Sequence, residues 1–240
     1  MKKYGLIGHP LENSFSRTYF SNKFAKENIQ ASYQNFEMIS LDSLQEVIQI
    51  NQLDGLNVTH PFKEKIIPFL HQLDYTASII GAVNCVRIRD GIYCGYNTDV
   101  IGFEKSVSPF FLPSTQALVF GTGGASKAIR FVLQKNNIPF LMVSREKNKN
   151  AIQYEEINAN IANNYKLWIN TTPIGMPPLE QIVLPLPYTL LNNSFVAYDL
   201  IYNPAKSLFL ENCEKHGAII KNGFEMLCLQ ADESYTIFTS

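Results

Sequence analysis

The fold is decided by the stretch Ala117-Leu118-Val119-Phe120-Gly121-Thr122-Gly123-Gly124-Ala125-Ser126. Its four leading apolar residues predict a buried strand, the glycines predict a tight turn, and a helical pattern continues to about Lys135. Glycines there let backbone N–H groups approach a pyrophosphate, which the N-terminus of the following helix stabilises. A glycine cluster alone can be a plain tight turn, but the flanking strand and helix favour a dinucleotide-binding fold.

Short apolar runs alternate with helix-period segments on both sides of this stretch, which is typical of an α/β protein with mostly parallel sheets. The Asp90-Gly91 pair predicts a hairpin between residues 83–88 and 92–96. Residues 224–238 predict one amphipathic helix. Further strands are predicted at residues 4–7, 33–36, 55–58, 140–143, 167–170 and 196–199. Few residues separate Arg145 from Trp168, so we expect a shortened helix there.

The end of the second strand in the dinucleotide unit favours NADP over NAD. An NAD site usually has an acidic residue at this point, whereas this strand ends in Val143-Ser144-Arg145. The arginine offers a fork of donors to a 2′-phosphate. Glu146 opposes this interpretation because a carboxylate repels phosphate, and Arg145 could also be an ordinary surface charge.

A polar strand end in the first half of the chain places a lysine where chemistry is expected. In the segment Asn57-Val58-Thr59-His60-Pro61-Phe62-Lys63 a buried strand is followed by a proline turn and a lysine at a predicted helix start. Polar groups at strand ends of an open α/β sheet face the ligand crevice. A cation is disfavoured near the positive end of a helix, which hints at function. An exposed helix lysine is the alternative.

Other turns supply an amide, a carboxylate and two hydroxyl groups. Asn84 and Asp99 each follow a glycine-containing turn segment, and Ser14 and Ser16 flank Phe15 before the first predicted helix. Asp99 and the serines are also good helix N-caps, which is their commoner role. The serine hydroxyls could instead hold a carboxylate.

Composition excludes several other classes of protein. With 20 basic and 21 acidic residues there is no basic stripe for a nucleic acid. We expect no signal peptide and no membrane span, because apolar runs are short. The four cysteines and four histidines are dispersed, so we expect reduced thiols, a cytoplasmic protein and no metal site.

These motifs together resemble the shikimate dehydrogenase family along nearly the whole chain. The resemblance is carried by separated segments in the family's order: Ser14-Phe15-Ser16, Asn57 to Lys63, Gly81 to Asn84, Asn97-Thr98-Asp99, Gly121 to Ala125, Asn170 to Met176, Asp199 to Tyr202 and Gly223 to Gln230. So many motifs in one order are hard to obtain by chance.

The resemblance implies two domains, with a substrate-binding, mostly parallel open α/β sheet in residues 1–101 plus 223–240. A Rossmann-type NADP-binding domain would occupy residues 102–222. It implies NADPH-dependent reduction of 3-dehydroshikimate to shikimate, with Lys63 and Asp99 as the catalytic pair. The implied substrate contacts are Ser14, Ser16, Thr59, Lys63, Asn84, Asp99, Tyr202 and Gln230. The implied cofactor contacts are Gly121, Thr122, Gly123, Gly124, Ala125, Ser144, Arg145, Leu200 and Gly223.

Alternatives remain open at this level. A relative could act on quinate or an amino-substituted ring with NAD or NADP, and a ligand-binding regulator could use the same fold without catalysis. Lys63 could be a proton donor or an electrostatic anchor. We expect a small-molecule partner and a monomer or homodimer.

Overall fold

A computed structural model of the chain describes residues 1–12, 14–147 and 149–240. The chain forms two compact units, Met1–Ile101 with Cys228–Ser240, and Gly102–Leu227. Each unit is built on a sheet for which six strands are described. The predicted two-domain α/β class is therefore confirmed.

The first unit is built on a mixed sheet of parallel and antiparallel strands. Its strands are β1 (Lys2–Gly8), β2 (Ala31–Glu37), β3 (Gly55–Val58), β4 (Gln72–Leu73), β5 (Cys85–Arg89) and β6 (Ile92–Tyr96), and its helices are α1 (Phe15–Lys26), α2 (Leu44–Asn51), α3 (Tyr75–Ile80) and the start of α4 (Asp99–Val107). The strand order is β2-β1-β3-β5-β6-β4. β1 runs parallel to β2 and β3, whereas β5 is antiparallel to β3 and β6.

Two apolar clusters hold this sheet. One contains Leu56 and Val58 of β3, and the other contains Tyr4 and Leu6 of β1. Tyr4 also stacks on Phe238 at a centroid distance of 4.8 Å. Burial of both faces explains why β3 is apolar or neutral at almost every position.

The predicted helix at Lys63 is wrong. Residues 60–66 form turns, and only a short 3₁₀ helix follows at Ile67–Phe69. Pro68 provides the physical reason, because a proline donates no backbone hydrogen bond and its ring clashes with the carbonyl four residues earlier, here that of Glu64. The helix-dipole argument for Lys63 therefore does not apply.

The second unit is a parallel sheet in the dinucleotide-binding order. Its strands are β7 (Ala117–Phe120), β8 (Phe140–Ser144), β9 (Ile152–Gln153), β10 (Leu167–Asn170), β11 (Val196–Asp199) and β12 (Ile219–Lys221), and its helices are α5 (Gly124–Lys135), α6 (Ala159–Asn164), α7 (Leu208–Lys215) and the start of α8 (Phe224–Thr239). The strands lie in the order β9-β8-β7-β10-β11-β12. Successive strands are added on one side of β7 up to β9 and on its other side from β10 onwards. Ligands of such sheets bind at the carboxyl ends of the strands beside this point.

The shortened helix expected before Trp168 is present. α6 has 6 residues, begins after the N-cap Asn158, and ends at Asn164. The two-residue strand β9 and a 3₁₀ turn at Tyr154–Glu156 occupy the rest of the connection. The unit therefore keeps its strand order with a reduced covering helix.

The chain returns to the first unit at Cys228, later than the predicted return at residue 223. The first turn of α8 stays with the second unit because Gly223 donates its N–H to Ile201 O at 3.0 Å. A Cβ at residue 223 would lie 2.0 Å from the Leu200 carbonyl oxygen, so only glycine allows this approach. The division of binding roles between the units remains a prediction.

None of the helices formed by the described residues combines the length and apolar character that a bilayer crossing requires.

Trp168 is the only tryptophan in the sequence and belongs to the hydrophobic core of the second unit. It is 0% exposed, and its ring meets Phe195 edge-on at a centroid distance of 5.9 Å. Phe120 contacts it from another side. Its fluorescence therefore reports on the packing of this unit.

We expect Phe195→Ala to lower the free energy of unfolding by about 3–5 kcal/mol, because a fully buried ring is replaced by a cavity. Urea denaturation followed by Trp168 fluorescence measures this change. Leu112→Ala, at a position that is 67% exposed, is the control and should change stability by less than about 0.5 kcal/mol. Equal stability of the two variants would contradict the assigned core.

Candidate active site

An ion pair joins the two residues predicted to be catalytic. Lys63 Nζ donates to Asp99 Oδ2 at 2.6 Å, and the two side chains are 30% and 15% exposed. Asp99 is the first residue of α4, and its carboxylate accepts hydrogen bonds from the Lys63 and Asn84 side chains. The pair is thus partly shielded yet accessible, as a site for a small molecule requires.

The Asn84 side chain fixes the second oxygen of Asp99. Asn84 Nδ2 donates to Asp99 Oδ1 at 2.9 Å. Its own Oδ1 accepts from the backbone N–H of Thr98 at 2.7 Å and lies 3.2 Å from Thr98 Oγ1. Because two donors face the amide oxygen, the NH₂ end must point towards Asp99. Asn84 is 3% exposed, so this orientation is held inside the protein.

Helix α8 reaches the same cluster from the other end of the chain. Gln230 Oε1 lies 3.3 Å from Thr98 Oγ1 and 3.4 Å from Asn84 Nδ2. Ser234, one helical turn later, accepts from Asn57 Nδ2 at 2.8 Å and lies 3.1 Å from Thr98 Oγ1. The predicted return of the last helix to the first unit is therefore present, and it brings Gln230 to the lysine–aspartate pair.

Tyr33 extends this network to the serine motif. Its hydroxyl donates to Asn57 Oδ1 at 2.9 Å and shares a hydrogen bond with the Ser16 side chain. Complete burial raises the pKa of Tyr33 well above its ordinary value, so the phenol stays neutral. Ser14 precedes α1 without capping it, and its buried Oγ has no hydrogen-bond partner among the described residues. An unpaired buried hydroxyl is what a missing anionic ligand would satisfy.

Backbone hydrogen bonds connect Lys63 and Thr59 to neighbouring segments of the first unit. The N–H of Val83 donates to Lys63 O at 2.7 Å, and the N–H of Thr59 donates to Ile7 O at 2.9 Å. Thr59 thus stays at the carboxyl end of β3, beside the end of β1. Lys63 is positioned by its backbone as well as by Asp99.

The glycine turn of the second unit fits a pyrophosphate. Gly121 has φ +100°, a value that side chains rarely allow, and Gly123 N-caps α5. A Cβ added to Gly123 would meet no atom within 4 Å, so the space above this turn is open. Thr122, Gly123, Gly124 and Ala125 are exposed, and the first turn of α5 holds no acidic residue. The free N–H groups at the start of this helix can therefore face a phosphate.

Ser144 and Arg145 lie at the end of β8, beside the glycine turn. The Gly121 N–H donates to Val143 O at 2.9 Å, which joins the two strand ends. Ser144 is 9% exposed and its Oγ accepts from the Glu146 N–H at 3.2 Å, whereas Arg145 is exposed. The role predicted for the Arg145 guanidinium group at a phosphate stays a prediction.

Leu200, Tyr202 and Gly223 lie in the second unit around the end of β11. Gly223 packs directly on the Leu200 backbone. Tyr202 is partly buried, which raises the pKa of its phenol. Whether Tyr202 contacts a substrate held by the first unit stays a prediction.

Asp199 is a buried carboxyl group that the sequence motifs did not single out as functional. It is 0% exposed and accepts hydrogen bonds from Asn170 Nδ2, the Ile201 N–H and the Ser207 hydroxyl. Burial raises the pKa of Asp199 from 3.8 to about 7, although these three hydrogen bonds favour the charged form.

Several network residues carried no role in the sequence interpretation: Tyr33, Asn57, Thr98, Ser234, Asn170 and Asp199. Asn57 and Thr98 lie inside recognised motifs, so their polarity in otherwise buried segments was the available signal. Ser234 follows Gln230 at a spacing of four on α8, which places both on one helix face. Among the residues described, no group of three or more His, Cys, Asp or Glu side chains could hold a metal ion.

A parallel sheet in dinucleotide-binding order, linked to an α/β unit with a lysine–aspartate pair, defines a two-domain protein of the nicotinamide-dinucleotide-binding class. Residues 6–86 match the family model of the shikimate dehydrogenase substrate binding domain. The shikimate dehydrogenase (NADP(+)) of Methanosphaera stadtmanae is 37% identical over an alignment 256 residues long. The alignment covers 98% of this chain and 90% of the relative.

Solved structures agree over the whole chain. Shikimate dehydrogenase from Aquifex aeolicus has a TM-score of 0.88 and 31% identity, covering 99% of this chain and 92% of its own. Shikimate 5-dehydrogenase from Thermus thermophilus, in complex with NADP(H) and shikimate, has a TM-score of 0.87 and 26% identity, covering 100% and 94%. The chain belongs to the shikimate dehydrogenase family.

We expect the raised pKa of Asp199 to make stability depend on pH. Between pH 3.8 and about 7 the folded protein keeps a proton that the unfolded chain has released. The free energy of unfolding therefore falls as pH rises through this window, and the stabilisation is lost above it. Urea unfolding of the wild type and Asp199→Asn at pH 5 and pH 8 measures the difference, with Asp42→Asn at an exposed position as control. The same pH slope in all three proteins would contradict this assignment.

Proposed function

We propose that this protein catalyses the reversible NADP-dependent reduction of 3-dehydroshikimate to shikimate, a step of the shikimate pathway that leads to aromatic amino acids. The observation that carries the proposal is the Lys63–Asp99 ion pair, oriented by Asn84, in a chain of the shikimate dehydrogenase family. A non-catalytic ligand-binding protein would have no need for a buried network that orients this pair.

The substrate is held by the first unit. Its carboxylate binds the hydroxyl groups of Ser14 and Ser16, and the buried unpaired Oγ of Ser14 supports this assignment. Its ring hydroxyl and keto oxygens contact Thr59, Asn84 and Gln230, whose side chains offer both donors and acceptors.

The residues present fit a nicotinamide dinucleotide phosphate. The pyrophosphate would be held by N–H groups of residues 122–125 and by the N-terminus of α5, while Gly121 allows the tight turn. Arg145 and Ser144 hold the 2′-phosphate, through charge-assisted hydrogen bonds from the guanidinium group. Leu200 and Gly223 contact the nicotinamide end. When bound, the reduced cofactor supplies the hydride.

Lys63 acts on the oxygen of the reacting keto group. As the ketone carbon is reduced, negative charge develops on this oxygen, and a hydrogen bond from an ammonium group stabilises it. An ammonium has three N–H donors, and Asp99 accepts from one of them at 2.6 Å. Asp99 therefore aims the lysine while other N–H bonds reach the substrate. Proton transfer from Lys63 to the oxygen completes the alcohol.

The proposal includes a cytoplasmic protein, as monomer or homodimer, with a small-molecule substrate as its partner. The four cysteines are reduced thiols and three of them are buried, which fits a reducing compartment. The net charge of −1 does not favour nucleic acid as a partner.

We expect Lys63→Ala to lower turnover of 3-dehydroshikimate by about 100-fold or more while the KM for NADPH changes little, because charge stabilisation and proton transfer at the keto oxygen are removed and the cofactor contacts remain. Steady-state NADPH oxidation measures both constants. Lys65→Ala, at an exposed lysine two residues away, is the matched control. Near-normal turnover of Lys63→Ala would remove the lysine from the mechanism, and an inactive wild type would remove the proposed reaction.

We expect Arg145→Ala to raise the KM for NADPH by about 10-fold and to leave the KM for NADH unchanged, because one charge-assisted partner of the 2′-phosphate is lost. Steady-state kinetics with each cofactor measure the preference. Lys149→Ala, another exposed cation of the same loop, is the control. An equal loss with NADH would show that Arg145 does not recognise the phosphate.

A further inference from the structure

The proposed mechanism leaves one buried carboxyl group without a role. Asp199 is the last residue of β11 and faces Asn170, the last residue of β10, across the parallel pair. Both are 0% exposed. They lie at the carboxyl ends of two strands in a sheet of the dinucleotide-binding type, the edge where ligands bind. Keeping a carboxyl group out of water is costly, so its partners deserve an explanation.

The three partners of Asp199 are all neutral donors. Asn170 Nδ2 and the Ile201 N–H both donate to Oδ1 at 3.0 Å, and the Ser207 hydroxyl donates to Oδ2. A salt bridge would only balance its charge, whereas neutral donors from three chain segments fix the direction of each carboxyl oxygen. Their geometry therefore ties the segments together.

Through Ile201 the carboxyl group controls the segment that follows β11. The Ile201 N–H is held by Asp199, and the Ile201 carbonyl accepts from the Gly223 N–H at 3.0 Å. The same arrangement presses Gly223 against the Leu200 carbonyl, where no side chain fits. Ile201 therefore connects Asp199 to Gly223 by hydrogen bonds, and Gly223 packs on Leu200. Leu200 and Gly223 are the two residues assigned to the nicotinamide end.

Through Asn170 it also controls the segment that follows β10. Asn170 Oδ1 accepts from the N–H of Thr172 at 2.9 Å and from its hydroxyl at 2.7 Å. Asn170 Nδ2 is shared between Asp199 Oδ1 and Ile174 O. Because two donors occupy the amide oxygen, the NH₂ end faces Asp199, and loss of the carboxyl group would release this amide as well.

We propose that Asp199 is a positioning residue for the nicotinamide end of the cofactor, holding Leu200, Ile201 and Gly223 in the backbone arrangement that receives the ring. This inference rests on the proposed function, because it assumes that Leu200 and Gly223 contact the nicotinamide. Asp199 itself touches neither cofactor nor substrate in this proposal. Its effect therefore concerns one end of the cofactor and leaves the phosphate-binding turn alone.

Two substitutions separate acceptor geometry from charge. Asp199→Ala removes every acceptor and leaves the Ile201 N–H and the Asn170 amide without their partner. Asp199→Asn keeps an oxygen for those two donors and presents an N–H to the Ser207 oxygen, which can accept it. Ser106→Ala is the matched control, because it removes a buried hydrogen bond to Tyr198 in the same unit without involving these loops.

The probes are NADPH and 2′-phospho-ADP-ribose, which is the cofactor without its nicotinamide ring. Dissociation constants are measured by calorimetry on the folded variants, below their melting temperatures, together with kcat and KM for 3-dehydroshikimate. A variant that only destabilises the unit weakens both probes in parallel. A variant that displaces the nicotinamide end weakens NADPH alone.

We expect Asp199→Ala to weaken NADPH binding or lower kcat by about 10-fold or more, as the loss of three buried hydrogen bonds implies. Binding of 2′-phospho-ADP-ribose should stay within about 2-fold, and Asp199→Asn should recover most of the loss. Ser106→Ala should change neither probe. Equal weakening of both probes, unchanged NADPH binding together with unchanged kcat, or an Asp199→Asn variant as defective as Asp199→Ala would overturn the inference. A wild type that fails to bind NADPH or to reduce 3-dehydroshikimate would instead overturn the proposed function.

Discussion

The polar network of the first unit depends on the orientation of one buried amide, that of Asn84. Its oxygen faces Thr98 and its nitrogen faces Asp99, so the amide can act only in one direction. Asp99 is thereby left with one oxygen for Lys63. If the amide turned over, its oxygen would face a carboxylate, and the repulsion would release the lysine as well. A neutral side chain therefore determines where the charged ones point.

The same principle organises the second unit. Asn170 and Asp199 close the carboxyl edge of the parallel sheet, and their partners are backbone and hydroxyl donors of the loops that follow. Parallel strands bring all these loops to one edge, where polar groups must be satisfied within the protein or by a ligand. In both units the strands supply rigid ends, and buried amides and carboxyl groups set the direction of the loops. The chemistry is placed on this frame.

Strong local patterns of apolar residues predict strands that the structure contains, whereas very short elements have no pattern that predicts them. Strands Gly55–Val58, Leu167–Asn170 and Val196–Asp199 have the predicted bounds because each is a short apolar run ended by a polar residue or a turn. Short elements such as Gln72–Leu73 carry too few residues to show a period. The helix predicted at Lys63 is absent because Pro68 cannot donate the backbone hydrogen bond that a helix would need.

The two α/β sheets and the glycine turn after Phe120 can be predicted from the sequence, because they depend on neighbours along the chain. The residue types of the lysine–aspartate pair are also visible there. Which polar side chains contact each other depends on the tertiary structure. Asn57 and Ser234 are 177 positions apart, and Asn84 and Gln230 are 146 apart. No local period encodes such pairs, since each forms only when packing removes both side chains from water and leaves them each other as partners.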